Sequence, residues 1–442
     1  MFSLQEIIKW LKKNITFKDW MLILVLLILF FLTRLIFLDK FPIFTDEGIY
    51  INWAKIAKVD ASWRFISLTD GKQPLQTWFT IFFLKFFPDN TLLAGRLFGV
   101  FGGLTALSGI FVSLWYMFNK KAAFFGSLLY IFTPYFLFYD RMALVDSFVN
   151  AGVIWILLFS IIVAKTIRLD MTLLFGLLSG IFSLSKSSVK MFIALSILSP
   201  VLFIEKNLKR SFSKLINFLF LYVLVLFFSF GIYNVQRLSP FMHYVVEKNK
   251  TFVMTFSEFL QTPFLVFAHN LKIIPWYVFW ESGFILIFTG FIGLFFLFKK
   301  NTKLALYLSF WILIPYIIIS LFAKIVFPRY LNFFATLFVI LTVCFFQEIK
   351  NKKIIMLLIT IFILIYSIFD YQILFNPKNV YLPDIDRGQY IEGISSGYGI
   401  KEIIDFSKEK SKEKPVILLA EGNFGVVGDM LNASLGLNQK KC

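Results

Sequence analysis

The chain has few of the residues that most catalytic and metal-binding motifs require. Only two of its 442 residues are cysteines, two are histidines, and 16% are charged. Cys344 and Cys442 do not form a disulfide framework, and His243 and His269, far apart in the sequence, add no support for a metal site. We find no phosphate-binding Walker loop, no zinc-finger spacing, no Ser/His/Asp arrangement and no internal repeat.

The chain is instead rich in apolar residues, which fix its class. Hydrophobic residues make up 59% of it and aromatic residues 20%, with a mean hydropathy of +0.78. Apolar runs of roughly 20 residues recur, which is the length that crosses a bilayer as a helix. We therefore predict an all-α polytopic membrane protein with eleven transmembrane helices, near residues 20–38, 96–118, 122–140, 148–164, 171–185, 189–204, 215–235, 276–298, 304–323, 329–347 and 354–375.

The distribution of charge indicates topology rather than nucleic-acid binding. The formal net charge is +18, and the lysines cluster at the N-terminus and in every second predicted loop. Short lysine-rich loops face the cytoplasm, and with eleven spans all these loops lie on one side. The pattern predicts a plasma-membrane protein with a cytoplasmic N-terminus and an extracytoplasmic C-terminus.

Three segments lie outside these spans on the predicted extracytoplasmic side. Residues 39–95 and 236–275 form long loops. In the first loop, residues 49–57 and 73–87 are predicted to form interfacial helices, with Trp53, Trp63 and Trp78 at headgroup depth.

The third segment is the polar tail at residues 376–442, which follows a transmembrane domain at residues 1–375. We predict a short α/β tail, with a helix at 400–410 and a buried strand at 415–420. One helix and one strand cannot bury a core. The tail therefore either packs on the membrane domain or is the beginning of a truncated domain, and we favour the second.

Acidic and basic residues from distant parts of the chain share the predicted outer side. Asp46 and Glu47 follow the first span, where a carboxylate can take a proton, bind a cation or orient a polar substrate. Carboxylates facing several cations suit a transfer reaction with an anionic phosphate leaving group, because a base accepts the proton of an acceptor hydroxyl and cations offset the charge of the departing phosphate.

Six segments, in order across residues 20–350, resemble motifs of one family. Residues 45–50 (TDEGIY) resemble the D-E-x-x-Y segment of GT-C glycosyltransferases of the protein O-mannosyltransferase and aminoarabinose transferase type, which are family 39-like. The other segments and their motifs are 72–78 (K-P-P-L-x-x-W), 96–99 (R-L-P-S), 141–146 (R-x-A-x-x-D), 176–186 (G-x-x-x-G…K) and 329–330 (R-Y).

This resemblance implies transfer of a sugar from a polyprenyl-phosphate donor to an acceptor hydroxyl outside the cytoplasm, with inversion at the anomeric carbon. Asp46 is then the candidate base, supported by Glu47 and by Asp146 as a second acid. The acceptor is a glycolipid, a glycan or a protein, the sugar is a hexose or a pentose, and no nucleic-acid partner is implied. The expected donor-phosphate ligands are Lys72, Arg96, Arg141, Lys186 and Arg329.

The sequence departs from the family at two positions. Gly71 replaces a glutamate that helps to hold a metal in aminoarabinose transferases, so a divalent metal is not supported, and Gln73 replaces the first proline of K-P-P.

Structural interpretations of the same residues stay open. Asp46, Glu47 and Asp146 can cap helices, Arg96 can be an interfacial anchor, and Arg141 can pair with a neighbouring aspartate. Two other functions also stay open: a transporter or lipid flippase, which often has inverted repeats and mid-span charges, and a non-catalytic scaffold.

Overall fold

A computed structural model describes residues 13–205, 207–420 and 427–437. These residues form helices joined by short turns, and the only strand-like pairing described among them is a single bridge between Val253 and Ala323. The α-helices, numbered in chain order, are α1 Phe17–Leu35, α2 Thr45–Val59, α3 Leu75–Phe83, α4 Thr91–Met117, α5 Lys120–Phe132, α6 Pro134–Asp140, α7 Asp146–Thr166, α8 Leu169–Ser183, α9 Val189–Leu195, α10 Leu208–Tyr233, α11 His243–Phe252, α12 Phe256–Gln261, α13 Phe267–Ser282, α14 Phe284–Lys300, α15 Thr302–Phe322, α16 Asn332–Glu348, α17 Lys352–Phe375, α18 Asp384–Arg387, α19 Ile400–Lys410 and α20 Val427–Ser434.

Short 3₁₀ and π turns extend or connect these helices. The 3₁₀ turns are Ala61–Trp63, Ile66–Asp70, Ser196–Phe203, Asn234–Leu238, Pro240–Met242, Pro328–Leu331, Pro377–Asn379 and Ile394–Ser396, and the π turn is Gly388–Glu392.

The all-α polytopic class predicted from the sequence is confirmed. Among the described residues, six helical segments are long and apolar enough to cross a membrane: α4, α7, α10 with the turn after it, α15, α16 with the turn before it, and α17. Two bent helix pairs, α5–α6 and α13–α14, bring the number to eight if each pair is one span. The other predicted spans coincide with the more charged α1 and the shorter α8 and α9, so eleven spans stay a prediction.

Two predicted spans are interrupted, and the prediction of continuous helices there was wrong. The segment 276–298 bends by 108° between α13 and α14. At the break Gly283 has φ 76°, and a Cβ atom there would lie 2.6 Å from the Tyr366 hydroxyl oxygen, so both conformation and space require glycine. The segment 122–140 bends by 66° at Thr133, which is extended because a residue before proline disfavours the helical conformation.

The most buried spans form the centre of the bundle. About 89% of α7 and 83% of the segment containing α16 are buried inside the protein, against 17% of α17. Helix α7 packs on α4, α8 and α16, and α16 also packs on α14. Because α7 begins at Asp146 and the turn before α16 contains Arg329, this packing brings two candidate site residues to one end of the bundle.

The first loop contains the two predicted helices. The segment 49–57 lies in α2, and 73–87 contains the shorter α3. Trp53 is 4% exposed and its ring packs 5.6 Å from the ring of Tyr50, so it contacts protein, and its headgroup depth stays a prediction. Trp63 is 40% exposed. The Trp78 Nε1 donates to the Arg64 carbonyl at 2.7 Å.

The tail contains the predicted helix at 400–410 but not the predicted strand. Residues 415–420 have no regular structure and Leu419 is 92% exposed, so the α/β description was wrong: no neighbouring strand is described that could pair with them. Helix α20 packs on α2, and Met430 and Leu431 share an apolar cluster with Ile51. The tail therefore packs on the first loop of the membrane domain. This is the alternative to a truncated domain, and it is the one that we did not favour from the sequence. Residues 421–426 and 438–442 lie outside the described residues.

Candidate active site

Glu47 and Arg96 form a fully buried ion pair beneath the N-terminus of α2. The Arg96 Nε lies 2.9 Å from Glu47 Oε1 and the Nη2 lies 2.8 Å from Oε2, and both side chains are 0% exposed. The same carboxylate accepts the backbone N–H groups of Phe44 at 2.9 Å and Ala143 at 2.7 Å. Glu47 therefore anchors the start of α2 to the segment that precedes Asp146.

The guanidinium of Arg96 has no nitrogen left for a phosphate. Its Nη1 donates to the carbonyls of Leu38 at 2.6 Å and Phe41 at 2.8 Å, and its Nη2 donates to the carbonyl of Pro42 at 2.9 Å. A buried charge pair is stable when its remaining hydrogen-bonding atoms are satisfied, as they are here. The geometry favours a structural role for Arg96, and it does not support the expected phosphate contact.

Arg141 also contacts backbone carbonyls rather than the site. Its Nη1 donates to Thr33 at 2.9 Å and Arg34 at 3.0 Å, and its Nη2 donates to Phe37 at 2.9 Å. The Thr33 and Arg34 carbonyls lie in the last turn of α1, where backbone acceptors have no partner within the helix, and the Phe37 carbonyl follows its end. The neighbouring Asp140 pairs with Arg34 at 3.3 Å. Arg141 therefore caps a helix, and its geometry does not support phosphate binding.

Asp46 lies at the same helix terminus as Glu47 but faces two cations and remains accessible. Its Oδ2 is 2.9 Å from Arg329 Nη2, its Oδ1 is 3.6 Å from Lys72 Nζ, and the side chain is 24% exposed. Burial opposes ionisation, but the charges of Lys72 and Arg329 outweigh it and hold the pKa of Asp46 at about 2. The carboxylate is therefore ionised at neutral pH.

Lys72 lies between two carboxylates and two aromatic rings. Its ammonium is 3.6 Å from Asp46 and 3.5 Å from Asp70, and it lies over the rings of Tyr50 at 4.7 Å and Trp53 at 5.7 Å. Burial alone would lower the pKa of Lys72, but Asp46, Tyr50 and Asp70 raise it above its ordinary value. The ammonium is a fixed cation beside the candidate base.

Asp146 and Lys186 form a second acid–base pair. The Lys186 Nζ is 3.0 Å from Asp146 Oδ1 and lies 3.5 Å from the centre of the Tyr330 ring. Asn332 donates to the Asp146 carbonyl at 3.2 Å. Because Tyr330 follows Arg329 directly, this pair and the Asp46 pair belong to one constellation.

Arg329 connects the two pairs and has unused hydrogen-bond donors. The side chain is 7% exposed, and its guanidinium carbon lies over the rings of Phe44 at 5.3 Å and Tyr330 at 5.4 Å. Nη2 contacts Asp46, whereas Nε and Nη1 are buried and have no partner among the residues that the structure describes. A buried arginine nitrogen normally has a partner, so this side chain is prepared to receive an acceptor.

The structure adds residues that the sequence interpretation did not select. Tyr50, the last residue of the D-E-x-x-Y segment, and Asp70 both contact Lys72, and the motif was the available signal for Tyr50. Asp386 and Tyr390 come from the polar tail, where no motif marked them. Asp386 accepts a hydrogen bond from the Tyr139 hydroxyl, and burial raises its pKa to about 6 although Tyr139 and other neighbours act to lower it.

Neither histidine is buried in this site. His243 and His269 are exposed, and within residues 13–205, 207–420 and 427–437 no group of three His, Cys, Asp or Glu side chains is placed to hold a metal ion.

Comparison with known proteins places this constellation in a known fold. Residues 71–233 match the family model described as dolichyl-phosphate-mannose-protein mannosyltransferase, a range that includes five of the eight predicted site residues: Lys72, Arg96, Arg141, Asp146 and Lys186. No curated protein sequence matches the chain.

Two kinds of solved structure share the fold. ArnT from Cupriavidus metallidurans, bound to undecaprenyl phosphate, aligns with a TM-score of 0.62 and 14% identity over 95% of this chain and 86% of that chain. The oligosaccharyltransferase AglB from Archaeoglobus fulgidus, in complex with an inhibitory peptide and a dolichol-phosphate, aligns with a TM-score of 0.56 and 13% identity over 96% of this chain and 64% of that chain.

The chain is thus a polytopic membrane protein with the fold of GT-C glycosyltransferases. The resemblance to the protein O-mannosyltransferase and aminoarabinose transferase type, inferred from the six motifs, is confirmed.

Proposed function

We propose that the chain is an integral-membrane glycosyltransferase that moves a sugar from a polyprenyl-phosphate donor to an acceptor hydroxyl on the extracytoplasmic side, with inversion. The contact of Asp46 with both Arg329 and Lys72 is the main observation in support. It places one accessible carboxylate directly beside two cations. Such a site can deprotonate or orient a hydroxyl and stabilise a phosphate leaving group together.

The proposed reaction is a single displacement. The acceptor oxygen attacks the anomeric carbon, its proton passes to Asp46, and the bond between the anomeric carbon and the phosphate oxygen breaks. The lipid phosphate leaves with one additional negative charge, which Lys72, Arg329 and Lys186 offset. Attack opposite to the leaving phosphate inverts the anomeric carbon.

Donor binding would also make Asp46 a better base. In the ligand-free site both neighbouring cations stabilise its carboxylate, and the resulting pKa of about 2 makes it a weak proton acceptor. A phosphate that contacts Lys72 and Arg329 neutralises part of their charge, so the pKa of Asp46 rises toward its ordinary value. The acceptor proton is then taken up only when the donor is present, which limits unproductive chemistry.

The other predicted residues take supporting roles in this proposal. Asp146, held by Lys186, is a second acid that orients the donor or acceptor. Glu47 and Arg96 position the helix terminus that contains Asp46, and Arg141 caps α1, so these three residues do not contact the reacting atoms. The relatives bound to undecaprenyl phosphate and dolichol-phosphate support a lipid phosphate as the donor carrier.

The test is transfer of a labelled sugar from a polyprenyl-phosphate donor in membranes that contain the Asp46→Asn variant. We expect transfer to fall by at least about 100-fold, the usual effect of losing a general base. The matched control is Asp60→Asn, which changes an aspartate at the opposite end of α2. Undiminished transfer by Asp46→Asn at equal protein level would refute the proposal, and movement of label across the membrane without transfer would support a flippase.

A further inference from the structure

Three buried donors around Arg329 have no hydrogen-bond partner among the described residues. They are the Arg329 Nε and Nη1 and the hydroxyl of Tyr390, which belongs to the π turn Gly388–Glu392 in the tail. Tyr390 is 0% exposed and Arg329 is 7% exposed. Buried polar groups are rarely left without a partner, so a group of three indicates a ligand that they bind.

Phe44 brings these donors together. The ring of Tyr390 lies 4.6 Å from the ring of Phe44, and the guanidinium carbon of Arg329 lies 5.3 Å from the same ring. The ring of Tyr390 is also held 5.1 Å from Phe138, which packs against Phe41. Tyr390 is therefore fixed by aromatic packing, and its hydroxyl is not needed to hold it there.

The chemistry of the three donors selects an anion. A guanidinium nitrogen and a phenol hydroxyl both donate, and burial raises the pKa of Tyr390 well above its ordinary value, so this hydroxyl keeps its proton. The acids near this group are Asp46, Asp146 and Asp386. Asp46 and Asp146 are ion-paired with Arg329 and Lys186. Asp386 accepts the Tyr139 hydroxyl through Oδ2, and its Oδ1 is buried without a partner among the described residues. The remaining donors are thus free for a phosphate oxygen.

We propose that Tyr390 and the two unpartnered nitrogens of Arg329 bind the phosphate of the lipid-linked donor, so that the tail segment 384–392 completes the donor site. That the bound phosphate belongs to a lipid-linked sugar donor rests on the proposed function. The Arg329 Nη2 remains with Asp46, and one guanidinium therefore connects the donor phosphate to the base.

The inference predicts an unusual combination of effects for Tyr390→Phe. Because the hydroxyl has no partner in the ligand-free protein, its removal eliminates an unsatisfied buried donor, and the thermal midpoint of the ligand-free variant stays unchanged or rises. Affinity for the lipid phosphate falls at the same time. A residue with a purely structural role would change stability and binding in the same direction.

The experiment measures binding of undecaprenyl phosphate and of uncharged undecaprenol to the purified full-length chain in detergent, together with the thermal midpoint. We expect Tyr390→Phe to weaken undecaprenyl phosphate binding about tenfold, the effect of one hydrogen bond to a charged group, and to leave undecaprenol binding unchanged. Tyr398→Phe, a change to an exposed tail tyrosine whose ring is near Lys378, is the control and binds as the unchanged protein does.

A second variant covers the case in which Tyr390→Phe does not fold. Arg329→Lys keeps a cation beside Asp46 but removes the two unpartnered nitrogens, and it is expected to show the same selective loss. Wild-type affinity for undecaprenyl phosphate in either folded variant overturns the inference. The two proposals can fail separately. If Tyr390→Phe loses binding but the unchanged protein transfers no sugar, only the proposed enzymatic function is refuted. If Tyr390→Phe binds normally and transfer depends on Asp46, only the proposed role of Tyr390 is refuted.

Discussion

Asp46 and Arg329, from the first loop and from the turn before a late span, lie 2.9 Å apart through Oδ2 and Nη2. The neighbouring Glu47 points the other way and pairs with Arg96 at 2.8 Å. Adjacent carboxylates thus have different surroundings. One is 24% exposed among cations that a ligand can reach, and the other is fully buried with every partner internal. This difference supports the proposed role of Asp46 as the base and a positioning role for Glu47.

Glu47→Gln is predicted to destabilise the protein rather than to alter donor binding. The change leaves the Arg96 charge buried without its counterion, which costs about 3–5 kcal/mol. The thermal midpoint in detergent should fall by many degrees. Glu413→Gln, which removes an exposed pair with Lys410 at 3.8 Å, should have almost no effect. A stable Glu47→Gln variant with a raised KM for the donor would contradict the structural role.

Lys72→Met is predicted to move the acid limb of the pH–rate profile upward. Lys72 is one of the two cations that hold the pKa of Asp46 at about 2. Without it the carboxylate is protonated at higher pH, and transfer is lost at a pH where the unchanged protein is still active. The rate at neutral pH should also fall, by about 100-fold. The profile is measured between pH 4 and 8, with Lys85→Met, a change to an exposed lysine of the same loop, as the control. An acid limb at the same pH in both proteins would show that Lys72 does not control the ionisation of Asp46.

Asp386 is predicted to make stability depend on pH. Burial raises its pKa from 3.8 to about 6, so the folded protein binds the proton more tightly than the unfolded chain does. The resulting stabilisation is complete below about pH 4 and is lost as pH rises through 6. Asp386→Asn should reduce this dependence and stabilise the protein at pH 7, because an amide does not ionise. The thermal midpoints of both proteins are measured between pH 4 and 7. If the midpoint depends on pH equally in both, Asp386 is not the group responsible.

Gly48→Ala is predicted to separate the tail from α2. A Cβ atom at Gly48 would lie 3.0 Å from the backbone nitrogen and 3.1 Å from the Cα of Met430. Backbone atoms of α20 cannot move aside locally, so the cost is about 1–3 kcal/mol. Hydrogen exchange in residues 427–434 should accelerate. Gly231→Ala is the control, since a Cβ there meets nothing within 4 Å and alanine favours a helix. Equal exchange in both variants would show that α20 does not depend on this contact.

Much of the candidate site could be predicted before the fold was known. Asp46, Lys72, Asp146, Lys186 and Arg329 were each selected from short local motifs, and the structure brings all five together. Arg96 and Arg141 were selected by the same reasoning but contact backbone carbonyls, because a motif records the residue type and not the direction of the side chain. Tyr390 had no local signal, since its role depends on Phe44 and Arg329, which are distant in the sequence.

The sequence by itself determined the membrane class, most of the helical segments and the residue types at the five motif positions, because apolar length and short motifs are local properties of the chain. The tertiary structure alone decided the break at Gly283, the packing of the tail on α2 and the different surroundings of Asp46 and Glu47. Each of these depends on atoms contributed by remote segments: the Tyr366 ring, the backbone of Met430, and the guanidinium groups of Arg96 and Arg329. Burial and hydrogen-bond partners are set only when those segments meet.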